Sequence, residues 1–508
     1  MKRRDFLTRT GGLLAGGWAG SSVWWPLTQR ALAGQSSVTG NKILVMVVLQ
    51  GGNDGLNTVV PYNDPLYATK RPVLNLPTAQ LLDLDMGTTG LHPSLSPLLP
   101  LWNQGRVSII RDVGYPNMNL SHFRATDIMF SASSSQDVIS TGWMARWLEA
   151  LHPGFPDTLP SAPMALQQGF SAGLVLNGNR GTTGVVVDNP STFYNLVNNN
   201  YTGSFSDELP QTPAGDELNF VRTIDEQSFQ YAGVIQSAAD LGTNLVTYPN
   251  TRIANQLATV ARLIDGQMGT PVYLTAQSGY DTHGSQLTTH ATLLGEMAAG
   301  VAAFVSDLDA MGRAEDVLVM TVSEFGRRPS ENGSSGTDHG TSAPWFLIGQ
   351  GIDGGLIGAP PNLASLDPTG NLYIQADYRS VYGTVLQGWM GTAPSVVEDV
   401  LFGSFPWLPF LTQTGVPEAP PVSVTHLFAP TPNPGRGQRS IRFQLGRESG
   451  VSLRVFDVSG RNVATLKEGY FPAGSHEVRW NPDGLAMGTY LVSLDAAGER
   501  RTTKLLVR

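Results

Sequence analysis

The sequence predicts an α/β fold, a largely parallel sheet sandwiched by helices, followed by a small C-terminal all-β sandwich. Three observations predict it. ILVMVVL (43–49) is a continuous Val-rich run of strand length, the pattern of a strand buried on both faces. Between this and the similar runs VSII (107–110), PVYLT (271–275), VLVMTV (317–322) and PWFLI (344–348) lie stretches of helical spacing. The clearest covers about 286–311, where Leu287, Leu293, Leu294, Met297, Val301, Phe304 and Leu308 recur as one apolar face. Finally, the pattern changes near residue 413 to short alternating segments, SIRFQL, SLRVFDV, HEVRW and TYLVSL, punctuated by Ser459-Gly460, Pro472–Gly474 and Pro482–Gly484.

Taken in chain order, residues 1–33 read as a twin-arginine export signal. Arg3 and Arg4 precede Phe6 and Leu7, and Ala31-Leu32-Ala33 forms a small-residue cleavage site. Gly11, Gly12, Gly16, Gly17 and Gly20 leave the intervening segment too weakly apolar for a spanning helix, so no transmembrane anchor is expected after processing. The α/β domain spans 34–412. Within it, 155–250 is richer in Asn, Gly, Ser and Thr and reads as an insertion or cap. A Pro-rich linker is expected over 413–431 and the β-sandwich over 432–508.

Composition narrows the chemistry. The net charge of −9 over 508 residues, with no basic stripe, argues against a nucleic-acid partner. The absence of cysteine excludes disulfides, thiolate metal sites and cysteine nucleophiles, so any metal must be held by His, Asp, Glu or neutral oxygens.

In an open α/β sheet, ligands bind beyond the carboxyl ends of the strands. The residues just after each apolar run are therefore informative. ILVMVVL leads to QGGNDGLN with Asn53 and Asp54, and VSII leads to NLSHFRATD with Ser121 and His122. PVYLT leads to Asp281 and His283, and VLVMTV to SEFGRR with Glu324, Arg327 and Arg328. Asp338-His339 immediately precede PWFLI. Each has a bland reading beside a chemical one. Asp54 suits an Asx-turn among glycines, and Ser121 suits a helix N-cap as well as a nucleophile. Asp281 and His283 can cap the next helix, and Glu324 can pair with either arginine. His92, His152, His290 and His426 lack neighbouring carboxylates and read as structural. As a set, the carboxylates and imidazoles have the composition of a metal site, while paired guanidinium groups match phosphate or sulfate oxygens. Arg71 is a further arginine for the same rim.

VMVVLQGGNDGLNTVVPYNDPLY, NLSHFRATD, GYDTHGSQ and SEFGR…NG…GTDHG together resemble the exported bacterial domain-of-unknown-function family 1501 across nearly all of 40–410. That family resembles a branch of the alkaline phosphatase and sulfatase superfamily. The resemblance implies metal ligation by Asp54, Asp281, His283, Glu324 and His339, with Ser121 as nucleophile; from the residues themselves, Asp338 is a further metal candidate and Arg327 would neutralise transition-state oxygens. Asn53, His122 and Arg328 would bind substrate. The implied cofactor is a divalent metal (zinc, calcium or magnesium), and the implied substrate is an anionic small-molecule or glycan ester. Glu324-Phe325 stands where the superfamily has Asp-His, and the Asp281/His283 spacing is short, which implies an altered or missing metal subsite. VFDVSGRNVATL…PAGSHEVRWN…GTYLVSL…KLLVR resembles Ig-like modules and type IX secretion sorting tails, with export machinery as partner. The expectation is an exported phosphate- or sulfate-ester hydrolase; the alternative is a surface binding protein that retains the scaffold.

Overall fold

A computed structural model describes residues 42–411, apart from 86, 170–172 and 201–211, and most of 426–507. The signal expected over 1–33 lies outside the described residues, as does almost all of the linker expected over 413–431.

Nine strands form the central sheet: β1 (Ile43–Gln50), β2 (Val107–Gly114), β3 (Ala165–Gln167), β4 (Gly184–Val186), β5 (Val272–Ser278), β6 (Val317–Val322), β9 (Ala343–Gly349), β10 (Gly355–Ile357) and β11 (Ala376–Asp377). A two-stranded hairpin, β7 (Gly326–Glu331) and β8 (Thr337–Gly340), lies between β6 and β9 in sequence. The spatial order is β10-β2-β9-β6-β1-β5-β3-β4, with β11 paired to β2. All pairings in the sheet are parallel except those of β9, which runs antiparallel to both β2 and β6.

Strand β1 is apolar throughout because both of its faces are covered. Val45, Val47 and Leu49 pack with residues of α2 (Arg252–Asp265) and α3 (Gln286–Ala310). Leu44, Met46 and Val48 join the opposite cluster, with Ile128 and Met129 of α1 (His122–Ser131) and with Trp143, Trp147 and Tyr382. The helical spacing read over 286–311 is realised in α3, where Leu294, Met297, Val301, Phe304 and Leu308 are buried. By length and composition this helix could also cross a membrane, but its apolar face belongs to the core.

Residues 155–250 differ from the insertion expected there. β3 and β4 extend the sheet edge, with Ala165 in register with Val272, and the helix Pro213–Leu241 contributes Tyr231 and Ile235 to the core. Three-residue strands carry too few positions for a periodic signal.

The C-terminal region forms two antiparallel sheets with a core of its own. Ile441, Phe443, Leu453, Val455, Val492, Leu494 and Leu505 are its fully buried members. Strands Asn462–Phe471 and Glu499–Val507 complete the four segments recognisable in the sequence.

One helix near the end of the α/β region carries a pH signature. Burial, reinforced by Glu398 and opposed by Arg442, raises the Asp399 carboxyl to about 6. A carboxyl raised above its unfolded value of 3.8 costs stability as pH climbs from about 4 through 6, because the unfolded chain ionises first. Asp399→Asn should therefore match wild type near pH 4 and exceed it by about 1–2 kcal/mol at pH 8 in paired urea denaturations. Equal stability differences at both pH values would refute this.

Candidate metal centre

Because β1, β2, β5 and β6 run parallel, the loops that leave their carboxyl ends emerge at one edge of the sheet. Strand β9 runs the other way, so its N-terminal end lies at that same edge. Asp338 and His339 thus reach the site from ahead of a strand, whereas Asp281, His283 and Glu324 reach it from behind one. The β7–β8 hairpin fixes the final approach by setting Arg327 opposite His339.

Three imidazoles converge on one carboxylate oxygen. Asp281 Oδ1 lies 3.4 Å from His122 Nε2, 3.2 Å from His283 Nε2 and 3.2 Å from His339 Nε2, and His283 Nε2 lies 2.9 Å from His339 Nε2. Each ring is oriented through its other nitrogen. His122 Nδ1 is 2.9 Å from Glu324 Oε1, His339 Nδ1 is 2.8 Å from the Leu120 carbonyl, and His283 Nδ1 is 3.3 Å from Asp338 Oδ1. With Nδ1–H donated outward, Nε2 presents its lone pair inward, which is how metal-binding histidines are commonly held. Gly51 N–H donates to the same Glu324 oxygen at 2.8 Å, which fixes the carboxylate behind His122.

The electrostatics favour an ionised carboxylate. Burial opposes it, but hydrogen bonds from Arg327 and His339 hold the Asp281 carboxyl down at about 2. The hydrogen bond to Glu324 raises His122, while burial lowers His339 against its bonds to Leu120 and Asp281.

This donor set fits a metal ion. His122, Asp281 and His339 offer ligand atoms that all lie within 4.8 Å of one another. A tetrahedral ion with bonds of about 2.0–2.1 Å separates its donors by about 3.3–3.4 Å, close to the spacings around Asp281 Oδ1. His122 Nε2 is buried and has no hydrogen-bond partner, as a nitrogen reserved for a ligand would be.

Several expected site residues lie elsewhere. Asp54 is 1% exposed and sits in a two-pronged pair with Arg71, Nη1 to Oδ2 at 2.5 Å and Nη2 to Oδ1 at 2.8 Å. Gln286 also donates to Asp54, and burial notwithstanding, Arg71 keeps this carboxyl lowered. The sequence placed Asp54 on a metal and Arg71 on a substrate rim, but each is committed to the other beneath the site. Arg71 further donates to the Pro329 and Arg328 carbonyls, both at 2.9 Å, tying the hairpin to the glycine turn after β1.

Arg327 is likewise sealed in, at 2% exposure. Its guanidinium donates to Gly52 O and Thr337 O at 2.9 Å, Tyr280 O at 3.1 Å, Gly51 O, and Asp281 Oδ1 at 2.7 Å. With its donors engaged by protein oxygens it orients Asp281 and faces no substrate. Asn53 is also buried: its Oδ1 lies 2.9 Å from His290 Nε2, while its buried Nδ2 has no hydrogen-bond partner. His290, read as structural from sequence, is pushed down to about 4 by burial and stays neutral in that contact. Arg328 is half-buried with a buried Nε that has no hydrogen-bond partner.

Ser121 is the exposed N-cap residue of α1, and its side chain makes no capping hydrogen bond. Its neighbours on either side, Leu120 and His122, both hold the imidazole cluster. An open cleft of about 480 Å³ adjoins the centre, lined by Gln50, Gly51, His122, Phe123, Asp281 and Glu324 among others. The turn at its base requires glycine: Gly51 has φ +119°, and a Cβ there would meet Asp281 N at 2.3 Å. Leu120 and Phe123 escaped the sequence reading because a carbonyl ligand and an exposed aromatic leave no motif.

Residues 236–401 match the family described as protein of unknown function (DUF1501), and residues 431–508 match the secretion system C-terminal sorting domain. Both resemblances read from the motifs are thereby borne out. The sorting domain makes this a secreted or cell-surface protein that engages export machinery. No curated protein matches the chain. Among solved structures, latent PorU from Porphyromonas gingivalis matches with 21% identity over 16% of this chain and TM-score 0.14; the chain covers 9% of PorU. The PsFucS1 sulfatase from Pseudoalteromonas sp. matches with 11% identity, 89% of this chain and 85% of that one, at TM-score 0.33. The phosphonate monoester hydrolase SpPMH from Silicibacter pomeroyi matches with 8% identity, 92% and 88% coverage, and TM-score 0.31.

Proposed function

We propose that this secreted or cell-surface chain is a metal-dependent hydrolase of phosphate or sulfate esters. One observation carries the reading: three imidazole Nε2 atoms and one carboxylate oxygen converge at the edge of an open cleft, each ring anchored from behind. His122, His283, His339 and Asp281 would hold the ion. Imidazole-rich sets suit zinc and its neighbours, whereas calcium and magnesium prefer oxygen ligands, and this supports zinc in the present reading. A divalent ion there would supply Lewis-acid stabilisation of charge on the ester oxygens.

The protein's own contribution is placement. Glu324, Leu120 and Asp338 fix the imidazole rings, and Arg327 fixes Asp281. Ser121 is the nucleophile in this reading, since its hydroxyl is not engaged in capping and its neighbours both anchor the centre. With Arg327 sealed away, negative charge on the substrate would meet the free N–H groups at the start of α1 instead. The Asp54–Arg71 pair favours the second reading, a non-catalytic binding protein, since it withdraws a carboxylate that the family resemblance assigns to metal.

The test is elemental analysis of natively exported protein together with aryl phosphate and aryl sulfate assays. About one zinc per chain, with turnover lost on chelation and restored by zinc, is expected. Metal-free protein inert towards both ester classes would leave the binding-protein reading.

A further inference from the structure

We infer that the cleft selects esters carrying a single negative charge, attached to an uncharged group that rests on Phe123. This rests on the hydrolase reading above and adds the substrate class.

The first observation is the sign of the walls. Besides Asp281 and Glu324 the cleft is lined by Asp127, an exposed carboxylate on α1, and among the described residues no lysine or arginine lines it. Arg328 is half-buried and is not among the lining residues, and three other arginines nearby are held by other partners. Arg327 and Arg71 are buried and paired with Asp281 and Asp54, and Arg124 Nη2 donates to the Asp137 carbonyl. A divalent ion is therefore offset by the carboxylates around it. A dianionic phosphate monoester would gain little attraction and would meet Asp127, whereas a sulfate monoester or a phosphodiester, each with one charge, would feel that repulsion only once.

The second observation is apolar. Phe123 is 87% exposed, yet it follows His122 directly and lines the cleft. Phe123, Thr126 and Asp127 stand at i, i+3 and i+4, so they share one face of α1, and that face forms the wall. An aromatic ring offers a flat surface on which a sugar face or an aryl group gains contact without needing charge. The wall thus couples an apolar platform to a carboxylate that discriminates against extra negative charge.

Benzenesulfonate and phenylphosphonate are near-isosteres that carry one and two charges at pH 8.5, and neither is hydrolysed. Calorimetric titration of the zinc-loaded full chain should show benzenesulfonate binding at least about tenfold more tightly than phenylphosphonate. Asp127→Asn should narrow that gap by roughly threefold or more, by improving phenylphosphonate more than benzenesulfonate. Phe123→Ala should weaken benzenesulfonate by roughly tenfold and leave methanesulfonate, which has no ring, unchanged. Equal or tighter binding of phenylphosphonate, no binding of either ligand, or an unaffected benzenesulfonate affinity in Phe123→Ala would overturn the inference. Turnover of aryl sulfates and diaryl phosphates is scored separately. The predicted binding pattern without turnover defeats the hydrolase reading alone, and turnover with a preference for dianions defeats the charge preference alone.

Discussion

Arg71→Ala is expected to cost about 3–5 kcal/mol of unfolding free energy, because it strands the ionised Asp54 carboxylate in a fully buried site. The side chain also donates to two hairpin carbonyls and to Asn57 Oδ1, so its removal leaves several polar atoms unpaired. Urea denaturation of the variant measures the loss directly. The Asp54→Ala/Arg71→Ala double variant should lose clearly less than the sum of the single losses, since no lone charge remains. A single-variant loss below about 1 kcal/mol would mean that water reaches the pair.

The second large effect falls on metal content. His339→Ala and Asp281→Ala are each expected to abolish stoichiometric metal, measured by inductively coupled plasma mass spectrometry after gel filtration. Glu324→Gln, which alters only the carboxylate behind His122, should weaken affinity by about 10–100-fold without abolishing binding. Asp54→Asn should keep the metal while losing stability, which separates the buried pair from the centre. Loss of metal in Asp54→Asn with retention in His339→Ala would reverse the assignment.

Much of this architecture is legible in the chain, and the exceptions have identifiable causes. ILVMVVL reads as a central strand because seven consecutive apolar residues suit nothing else of that length between polar boundaries. PWFLI reads as a strand equally well but gives no hint of its direction, since a segment buried on both sides looks the same run either way. Rules about strand ends point Asp281, His283 and His339 to one edge of the sheet, and their side chains lie within 3.2 Å of one another there. They failed for Asp54 because such rules locate a residue's backbone, not the partner of its side chain. Arg71 arrives 17 residues later from a helix end, a contact no local pattern encodes. Arg327 and Arg328 look alike in sequence, yet strand alternation in the hairpin buries one fully and leaves the other half-exposed.

The central position of β1 has a consequence for biosynthesis. Its two neighbours are residues 272–278 and 317–322, so the first strand of the sheet waits for partners made much later. At about 5–20 residues per second, translation leaves that apolar segment unpaired for on the order of tens of seconds. Such distant pairing slows folding and prolongs the time in which a sticky strand can meet another chain. A nascent chain of this design should depend on a holding chaperone until residue 322 has left the ribosome.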